Sequence, residues 1–486
     1  MPYDTLGDFL TALQDTGEVV RIAATVDPAL ELSAITDRVA KRSGDGGPVL
    51  FFASVRNAHW PVVTNVLGHP RRLCRALGVE SLDQIATRFV DIADELAPRW
   101  STTHAAASKL SSKAIRQAAC QQVVKLGRDV NLWELPALRN WPGEQNPAFT
   151  GGVVVTPDVP SGRPALSLAP LQLVDRHRLL PYWTSVDAPL QAALAARQAQ
   201  RQLPIALAFG GDPLLTIAAE AGRWLNRSAG YGAVGQLRRS ALEVVKCRSH
   251  DLEVPADAEV IIEGFIDPDT PWERIGSLGL STGHYAEETA VPPIQVTAIT
   301  HRANPLFPAV VPNAAPSEEA WRREGLDRLF LPLVKGLAPA IIDYARPAGA
   351  CGNTVFVAIH KQSPLEARTV CHALWSCPGL RFARWIIVVD EDVPLRREGD
   401  VWGAVARNVD PLRDCFQADG PAHPDDYATS QRGIGGRIAV DATRKNADEG
   451  FPRTWPMALR SSQETMQKMT ERWGEFGLPE RWGVGS

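Results

Sequence analysis

The stretch that decides the fold is residues 243–264, which read EVVKCRSHDLEVPADAEVIIEG. Two runs of β-branched residues, Val244–Val245 and Val260–Ile262, predict β-strands. Asp251 and the segment Pro255–Asp257 carry residue types that favour turns. The pattern therefore predicts a hairpin in which these two strands are joined by the intervening turn.

The composition excludes several classes of protein. Hydrophobic residues make up 45% and charged residues 22% of the 486 residues, as in globular enzymes, and this length predicts two or three domains. The net charge of -4 gives no reason to expect a nucleic-acid partner. No apolar run reaches the roughly 20 residues of a membrane span. The start, Met1–Asp4, lacks the features of a signal peptide. We therefore expect a cytoplasmic protein with neither a nucleic-acid nor a membrane partner.

Both ends of the sequence alternate between helical and strand patterns. Residues 4–16 have apolar side chains at helical spacing, and residues 19–22 predict a strand. After residue 305 the same rhythm returns, with a helix over 365–375 and a continuous apolar strand over 385–389. These patterns predict an α/β domain at each end of the chain.

Strand patterns dominate the middle of the sequence. The segments 152–156, 165–173 and 205–208 are rich in β-forming residues, and residues 294–299 alternate between apolar and polar types. Near the end, residues 462–476 predict an amphipathic helix with Met466, Met469 and Trp473 on one side. We therefore divide the chain into four parts: an N-terminal α/β domain (residues 1–118), a central β domain (119–304), a C-terminal α/β domain (305–450) and a helical arm (451–486).

Several of these segments resemble the UbiD family of decarboxylases, which use prenylated flavin mononucleotide (FMN). The resemblance rests on residues 243–264 and on the phrases GEVVRI at 17–22, NVLG at 65–68, VVDEDV at 388–393 and DVWGA at 400–404. It covers nearly the whole chain. It implies an α/β fold at both ends, a central split β-barrel that carries the flavin, and a trailing helix that embraces a second subunit. A homodimer or higher homo-oligomer is therefore expected.

The family's metal site is the first place where this sequence departs from the resemblance. In the family, a manganese-like ion and a potassium ion hold the cofactor phosphate, and an Asn, a His and a Glu bind the metal. Alignment of residues 165–172 with the family phrase N-x-G-I-Y-R-x-Q places Ala165 at the Asn. The same register places Val186 at the His, and the Glu falls on Gly230. None of these residues has a ligand atom, so we expect neither prenylated FMN nor its Mn and K ions to bind.

The family's catalytic residues are the second departure. The resemblance implies an Arg that holds the substrate carboxylate and two acids in the phrase E-G-P-x-G-[ED]. One of these acids gives a proton to the carbon that loses CO₂, which requires a carboxyl group. The corresponding positions are Pro170, Ile275 and Leu280. We interpret all six replacements as a fold that is retained without its flavin and metal site.

Four polar residues near these positions are candidates for a different catalytic set. Asp187 follows the lost His, and Glu273 lies two positions before the first lost acid. Arg274 could receive a carboxylate, and His284 could exchange protons. Each of these residue types is common on barrel loops, and surface ion pairs or polar residues at strand ends are the more frequent explanation for them.

Two functions follow from this interpretation. The first is a UbiD-like enzyme of the carboxy-lyase lineage that acts on an unsaturated or aromatic carboxylic acid or a related metabolite, with cofactor-independent or altered chemistry. The alternative is a non-catalytic partner subunit that stabilises or regulates an active paralogue through the helix around Met466 and Trp473.

Overall fold

The computed structural model describes residues 3–96, 110, 112–159, 161–225, 229–457, 459 and 461–479. The chain forms two compact units, Met1–Thr443 and Arg444–Ser486. Within the described ranges, every helix is too short or too polar to cross a lipid bilayer. All seven cysteines are free thiols.

The N-terminal part of the chain alternates helices and strands, as predicted. Its first helix begins at a capping box, because the Thr5 hydroxyl accepts a hydrogen bond from the Asp8 amide while the Asp8 carboxylate accepts one from the Thr5 amide. The elements of this part are α1 (Leu6–Gln14), β1 (Val19–Val26), α2 (Glu31–Ser43), β2 (Val49–Val55), β3 (Val62–Thr64), α3 (Pro70–Leu77) and α4 (Phe89–Leu96).

Strands dominate the middle of the chain, as predicted, but three helices that the sequence patterns did not predict lie among them. The elements are β4 (Lys113–Ala114), β5 (Val123–Leu126), β6 (Ala148–Phe149), β7 (Val153–Pro157), β8 (Pro164–Leu168), β9 (Leu171–Leu173), β10 (Arg178–Pro181), α5 (Ala188–Gln198), β11 (Leu203–Phe209), α6 (Leu214–Leu225), α7 (Tyr231–Arg238), β12 (Glu243–Lys246), β13 (Glu253–Pro255), β14 (Val260–Ile266), β15 (Glu273–Ile275), β16 (Thr289–Val291), β17 (Ile294–His301) and β18 (Phe307–Ala309).

The C-terminal part of the first unit returns to alternating helices and strands, which confirms the predicted helix over 365–375 and strand over 385–389. Its elements are α8 (Glu318–Leu329), α9 (Leu331–Leu337), β19 (Ile341–Ala345), β20 (Thr354–Ile359), α10 (Glu366–Ser376), β21 (Trp385–Asp390), α11 (Glu398–Asn408), α12 (Pro411–Asp414), β22 (Cys415–Pro421) and β23 (Ile434–Asp441). The second unit contains α13 (Gln463–Glu471) and a 3₁₀ turn, Trp473–Phe476.

The described strands form a mixed α/β architecture with one large central sheet. This sheet has nine strands. Eight of them follow the order β6-β9-β10-β17-β14-β11-β7-β8, and the ninth, β5, pairs with β17. The predicted α/β character is confirmed. The described pairings leave the sheet open between β6 and β8, and the split barrel stays a prediction. Smaller sheets at the two ends of the first unit have the orders β1-β2-β3-β18 and β19-β20-β21-β23-β22.

The stretch 243–264 contains three strands, so the predicted two-stranded hairpin was wrong. β12 pairs with β13, which places Val244 opposite Pro255, and β14 belongs to the central sheet. A contact between the two sheets nevertheless links β14 to this turn. The Glu263 carboxylate on β14 accepts hydrogen bonds from the amides of Arg248 and Ser249, and it thereby holds the turn between β12 and β13.

The central sheet is buried on both faces. Along β7, Val153 and Val155 pack into one apolar cluster while Val154 packs into another. Along β14, Ile261 and Val260 divide between the same two clusters. Because neighbouring side chains point to opposite faces of a sheet, the continuous runs of Val and Ile indicate that protein covers both sides.

Candidate active site

The first unit contains a cavity of about 640 Å³. This volume lies within the range of small-molecule sites, about 300–1,000 Å³. The wall combines apolar side chains with carboxylates, arginines and a histidine. The wall residues come from β8 and the loop after it, the start of α5, α6, α8, and the loops at 279–282, 351–353, 378–383 and 423–426.

Six positions were matched by the sequence resemblance to the family's metal ligands and catalytic residues, and four of them lie on this wall. They are Ala165, Pro170, Val186 and Leu280. The other two positions are not among the wall residues that the structure describes. Gly230 lies at the start of α7, and Ile275 is fully buried in a small apolar cluster. The sequence alignment and the cavity therefore identify the same region of the molecule.

The residues at the family's metal positions do not fit a manganese ion. A divalent ion beside a phosphate needs oxygen or imidazole ligands, and the side chains of Ala165 and Val186 are hydrocarbons. The Ser167 hydroxyl also lies on the wall and is buried without a hydrogen-bond partner in the described part of the chain. A single neutral hydroxyl can donate a hydrogen bond to a ligand, but it does not replace the three ligands of the family.

Two of the four predicted catalytic residues, Glu273 and Arg274, lie on β15 and are outside the set of described wall residues. The Glu273 carboxylate forms an ion pair with Arg178 at 2.6 Å. The Arg274 side chain is 80% exposed and lies 3.6 Å from Glu288. Both residues take part in the surface ion pairs that the sequence also allowed, and their catalytic role stays a prediction.

The other two predicted residues occupy different surroundings. His284 is exposed in the loop after Leu280, and the described wall does not include it. Asp187 does lie on the wall, where its carboxylate accepts hydrogen bonds from the amide and the hydroxyl of Thr184 at 2.7 and 2.8 Å. The structure thus brings one of the four predicted residues, Asp187, to the cavity.

A cluster that the sequence analysis missed lies on the same wall. The Tyr182 hydroxyl donates a hydrogen bond to the Asp425 carboxylate at 2.6 Å. The Asp425 amide donates to Nδ1 of His423 at 3.3 Å. Because Nδ1 accepts, the neutral imidazole carries its proton on Nε2. Tyr182 follows β10, whereas His423 and Asp425 lie in the loop between β22 and β23.

The electrostatic environment suits this cluster to proton transfer. Burial holds the pKa of His423 below its usual value, and the charge of Asp425 partly opposes that shift. The imidazole is therefore neutral at pH 7 and can accept a proton. Burial, followed by the charge of Asp425, raises the pKa of Tyr182, so its phenol stays protonated. A neutral histidine beside an aspartate is an arrangement found in general acid–base catalysis.

A second charged cluster on the wall comes from α8. Glu318, Glu319, Arg322 and Arg323 all contribute to the cavity. Arg322 is almost completely buried. It forms an ion pair with Glu318 on the same helix at 3.4 Å and another with Glu220 on α6 at 3.0 Å. These pairs neutralise the Arg322 charge and fix α8 against α6.

Outside the cavity, Cys247, His250 and Glu263 place possible metal-ligand atoms within 4.8 Å of one another. The Glu263 carboxylate already accepts hydrogen bonds from the amides of Arg248 and Ser249 and from the Ser249 hydroxyl. These bonds satisfy its lone pairs without a metal ion. We therefore assign Glu263 a structural role at this turn.

Comparisons with known proteins agree with this picture of an intact fold. Sequence models of three domains of 3-octaprenyl-4-hydroxybenzoate carboxy-lyase match the chain. The N-terminal domain matches residues 10–89, the Rift-related domain residues 112–315, and the C-terminal domain residues 321–442.

Relatives match over nearly the full length. An uncharacterized protein from Aquifex aeolicus (strain VF5) is 34% identical over 485 residues, covering 98% of this chain and 99% of that protein. Vanillic acid decarboxylase from Sedimentibacter hydroxybenzoicus, in closed form, is 25% identical with a TM-score of 0.83. The match covers 99% of this chain and 100% of the decarboxylase chain. HmfF from Pelotomaculum thermopropionicum, a UbiD-class enzyme in complex with FMN, is 24% identical with a TM-score of 0.80. The match covers 94% of this chain and 97% of HmfF, and it shows a shared fold.

Proposed function

This chain belongs to the UbiD family of carboxy-lyases, and from that premise we propose that it acts on an unsaturated or aromatic carboxylic acid, or a related metabolite, without the family's metal-bound prenylated FMN. The observation that carries the proposal is the wall of the cavity. Ala165, Pro170, Val186 and Leu280 line it at positions where the family resemblance implies a ligand or a catalytic group.

The substrate class is supported by one relative and by the cavity itself. The vanillic acid decarboxylase, at 25% identity, is named for an aromatic acid. The cavity volume suits a single aromatic ring with its substituents. Apolar side chains on the wall, such as Val186 and Leu280, would pack against such a ring.

Decarboxylation needs a proton at the carbon that loses CO₂. The bond between that carbon and the carboxylate breaks, its electron pair stays on the substrate carbon, and CO₂ leaves. We assign the proton transfer to His423. Nδ1 gives up the hydrogen bond from the Asp425 amide and accepts a proton from solvent, and the Asp425 carboxylate, 3.6 Å from Nδ1, stabilises the imidazolium. Nε2 then donates its proton to the carbon, which leaves a neutral imidazole. Tyr182 holds the Asp425 carboxylate in place.

The family membership also supports two structural proposals. We propose that the central strands form the family's split barrel within the predicted domain 119–304. We further propose that the protein assembles as a homodimer or a higher homo-oligomer.

The experiment that tests the proposed function is co-expression of this protein with a flavin prenyltransferase. The purified protein should show no flavin absorbance and much less than one manganese ion per chain. A UbiD-class enzyme that retains the Asn, His and Glu ligands, prepared in parallel, is the positive control. A bound prenylated flavin with one manganese ion per chain would refute the proposal.

A second function, a non-catalytic partner subunit, is favoured by the second unit. On α13 the side chains of Met466 and Met469, one helical turn apart, are 48% and 37% exposed, so this side of the helix offers apolar contacts to a partner. A panel of aromatic and unsaturated acids separates the two functions through release of CO₂. Turnover that is lost in His423→Gln supports the enzyme, whereas the absence of turnover with every acid supports the partner subunit.

A further inference from the structure

Arg323 lies half-buried on the cavity wall and has no anionic partner among the described residues; Arg223, also on the wall and without such a partner, is exposed. Arg322 pairs with Glu220 and Glu318, but within the part of the chain that the structure describes, the Arg323 guanidinium takes part in neither an ion pair within 4.0 Å nor a hydrogen bond. Glu319, one helical turn earlier, lies beyond that distance, although its charge acts on Arg323. The donors of Arg323 are therefore available to a ligand.

The surroundings of Arg323 make an unpaired cation costly. The side chain is half-buried, and burial together with the neighbouring charge of Arg346 lowers the pKa of Arg323. Arg346 itself is occupied, because its Nε and Nη2 atoms donate to the Asp327 carboxylate at 2.9 and 2.5 Å. A half-buried cation without a partner is unfavourable, and an incoming anion would remove that cost.

A chain of contacts places Arg323 beside the loop that carries the family's second acid position. A Cβ atom added at Gly352, where φ is +85°, would lie only 3.4 Å from Nη1 of Arg323. The glycine therefore leaves room next to the guanidinium. The preceding residue, Cys351, lies with its sulfur 3.7 Å from the carbonyl oxygen of Thr282. Thr282 is two residues after Leu280, and all of these residues line the cavity.

We propose that Arg323 forms the subsite that receives the substrate's carboxylate, in place of the arginine that the family resemblance implies at Pro170. This inference rests on the proposed function for the identity of the substrate. A guanidinium presents a planar fork of donors that matches the two oxygens of a carboxylate, and such pairs bind with charge-assisted hydrogen bonds. A phosphate group shares this chemistry, so the test has to separate the two anions.

The test measures ligand binding by isothermal titration calorimetry, with no turnover required. The probes are benzoate and 3,4-dihydroxybenzoate, the uncharged analogue benzamide, and inorganic phosphate. We expect both carboxylates to bind and benzamide and phosphate to bind at least tenfold more weakly. Binding of phosphate in preference to both carboxylates would overturn the carboxylate assignment, and failure of all the anions to bind would overturn the subsite.

Substitutions at Arg323 and at a control arginine show whether Arg323 binds benzoate. Arg323→Met keeps the length of the side chain without its charge and should weaken benzoate binding at least tenfold. Arg407→Met, an exposed arginine on α11, is the matched control and should bind benzoate as the wild type does. Equal affinities in these two variants would overturn the proposal. Arg323→Lys should retain part of the affinity, because it keeps the charge but loses the fork.

A further variant gives a readout that a purely structural role for Arg323 would not produce. Glu319→Gln removes the nearby negative charge that competes for Arg323, so benzoate should bind several-fold more tightly. Unchanged or weaker binding in Glu319→Gln would contradict the subsite. Because none of these measurements involves flavin or manganese, they separate failure of the subsite from failure of the proposed function.

Discussion

His423 is a residue of the cavity wall whose pKa the folded structure perturbs. Burial, helped by the positive charge of Arg223, holds the pKa of His423 below its usual value and outweighs the opposing charges of Asp425, Asp187 and Asp426. The folded state therefore disfavours the imidazolium more than the unfolded chain does. Between about pH 6.5 and the lower folded pKa, the unfolded chain binds more protons, so the stability falls as the pH falls through that window.

The variant His423→Gln should lack this part of the pH dependence. The free energy of unfolding in urea, measured for both proteins at intervals between pH 7.5 and pH 5, checks this expectation. The wild type should lose more stability than the variant as the pH drops below about 6.5. Identical pH dependence in the two proteins would show that the folded structure does not perturb His423.

Single residues also show how much of the site the sequence could predict. Asp187 was found because it follows a position that the family resemblance marks. The contact between Tyr182 and Asp425 joins residues 243 positions apart, and no local pattern connects them. Arg323 was missed for a different reason. Its significance depends on which neighbouring carboxylates have other partners, and only the three-dimensional structure contains that information.

The turn between β12 and β13 depends on a residue from a different sheet. Glu263 on β14 is fully buried, and its carboxylate accepts hydrogen bonds from the amides of Arg248 and Ser249 and from the Ser249 hydroxyl. The Thr297 hydroxyl on β17 donates to the Ser249 oxygen and extends this network. The small sheet is thereby fixed to the central one.

The variant Glu263→Gln places an amide donor against the donors of this turn. We expect a loss of about 2 kcal/mol in the free energy of unfolding, the usual scale for hydrogen bonds to a charged group. Glu253→Gln on β13, where the side chain is less buried, is the matched control and should change the stability by less than about 0.5 kcal/mol. Urea unfolding measures both, and equal effects would exclude a role for Glu263 in holding the turn.

The same region shows why helices and strands were easier to predict than their pairing. The helix α1 and the strand β21 carry regular apolar patterns that their packing requires, and both were found. The β-branched runs of β12 and β14 were also recognised as strands. Their partners were not, because β13 is only three residues long and β14 pairs with β11 and β17. Pairing depends on contacts between distant segments, which a local pattern does not encode.

In the account proposed above, the first unit combines the family scaffold with an altered cavity. The two apolar clusters on either side of the central sheet need only side chains of suitable size, and the β-branched runs provide them. Metal binding needs specific atoms at fixed positions, and Ala165, Val186 and Gly230 do not have them. Family membership therefore follows from the sequence, while the chemistry has to be argued from the cavity.

The central claim is that this family scaffold has lost its metal ligands. Its most direct test is calorimetric titration of Mn²⁺ into the wild-type protein and into the variant Ala165→Asn/Val186→His/Gly230→Glu, each in the presence of FMN. The account predicts no saturable Mn²⁺ site in the wild type and a gain of binding in the variant. One tightly bound Mn²⁺ per wild-type chain would contradict it.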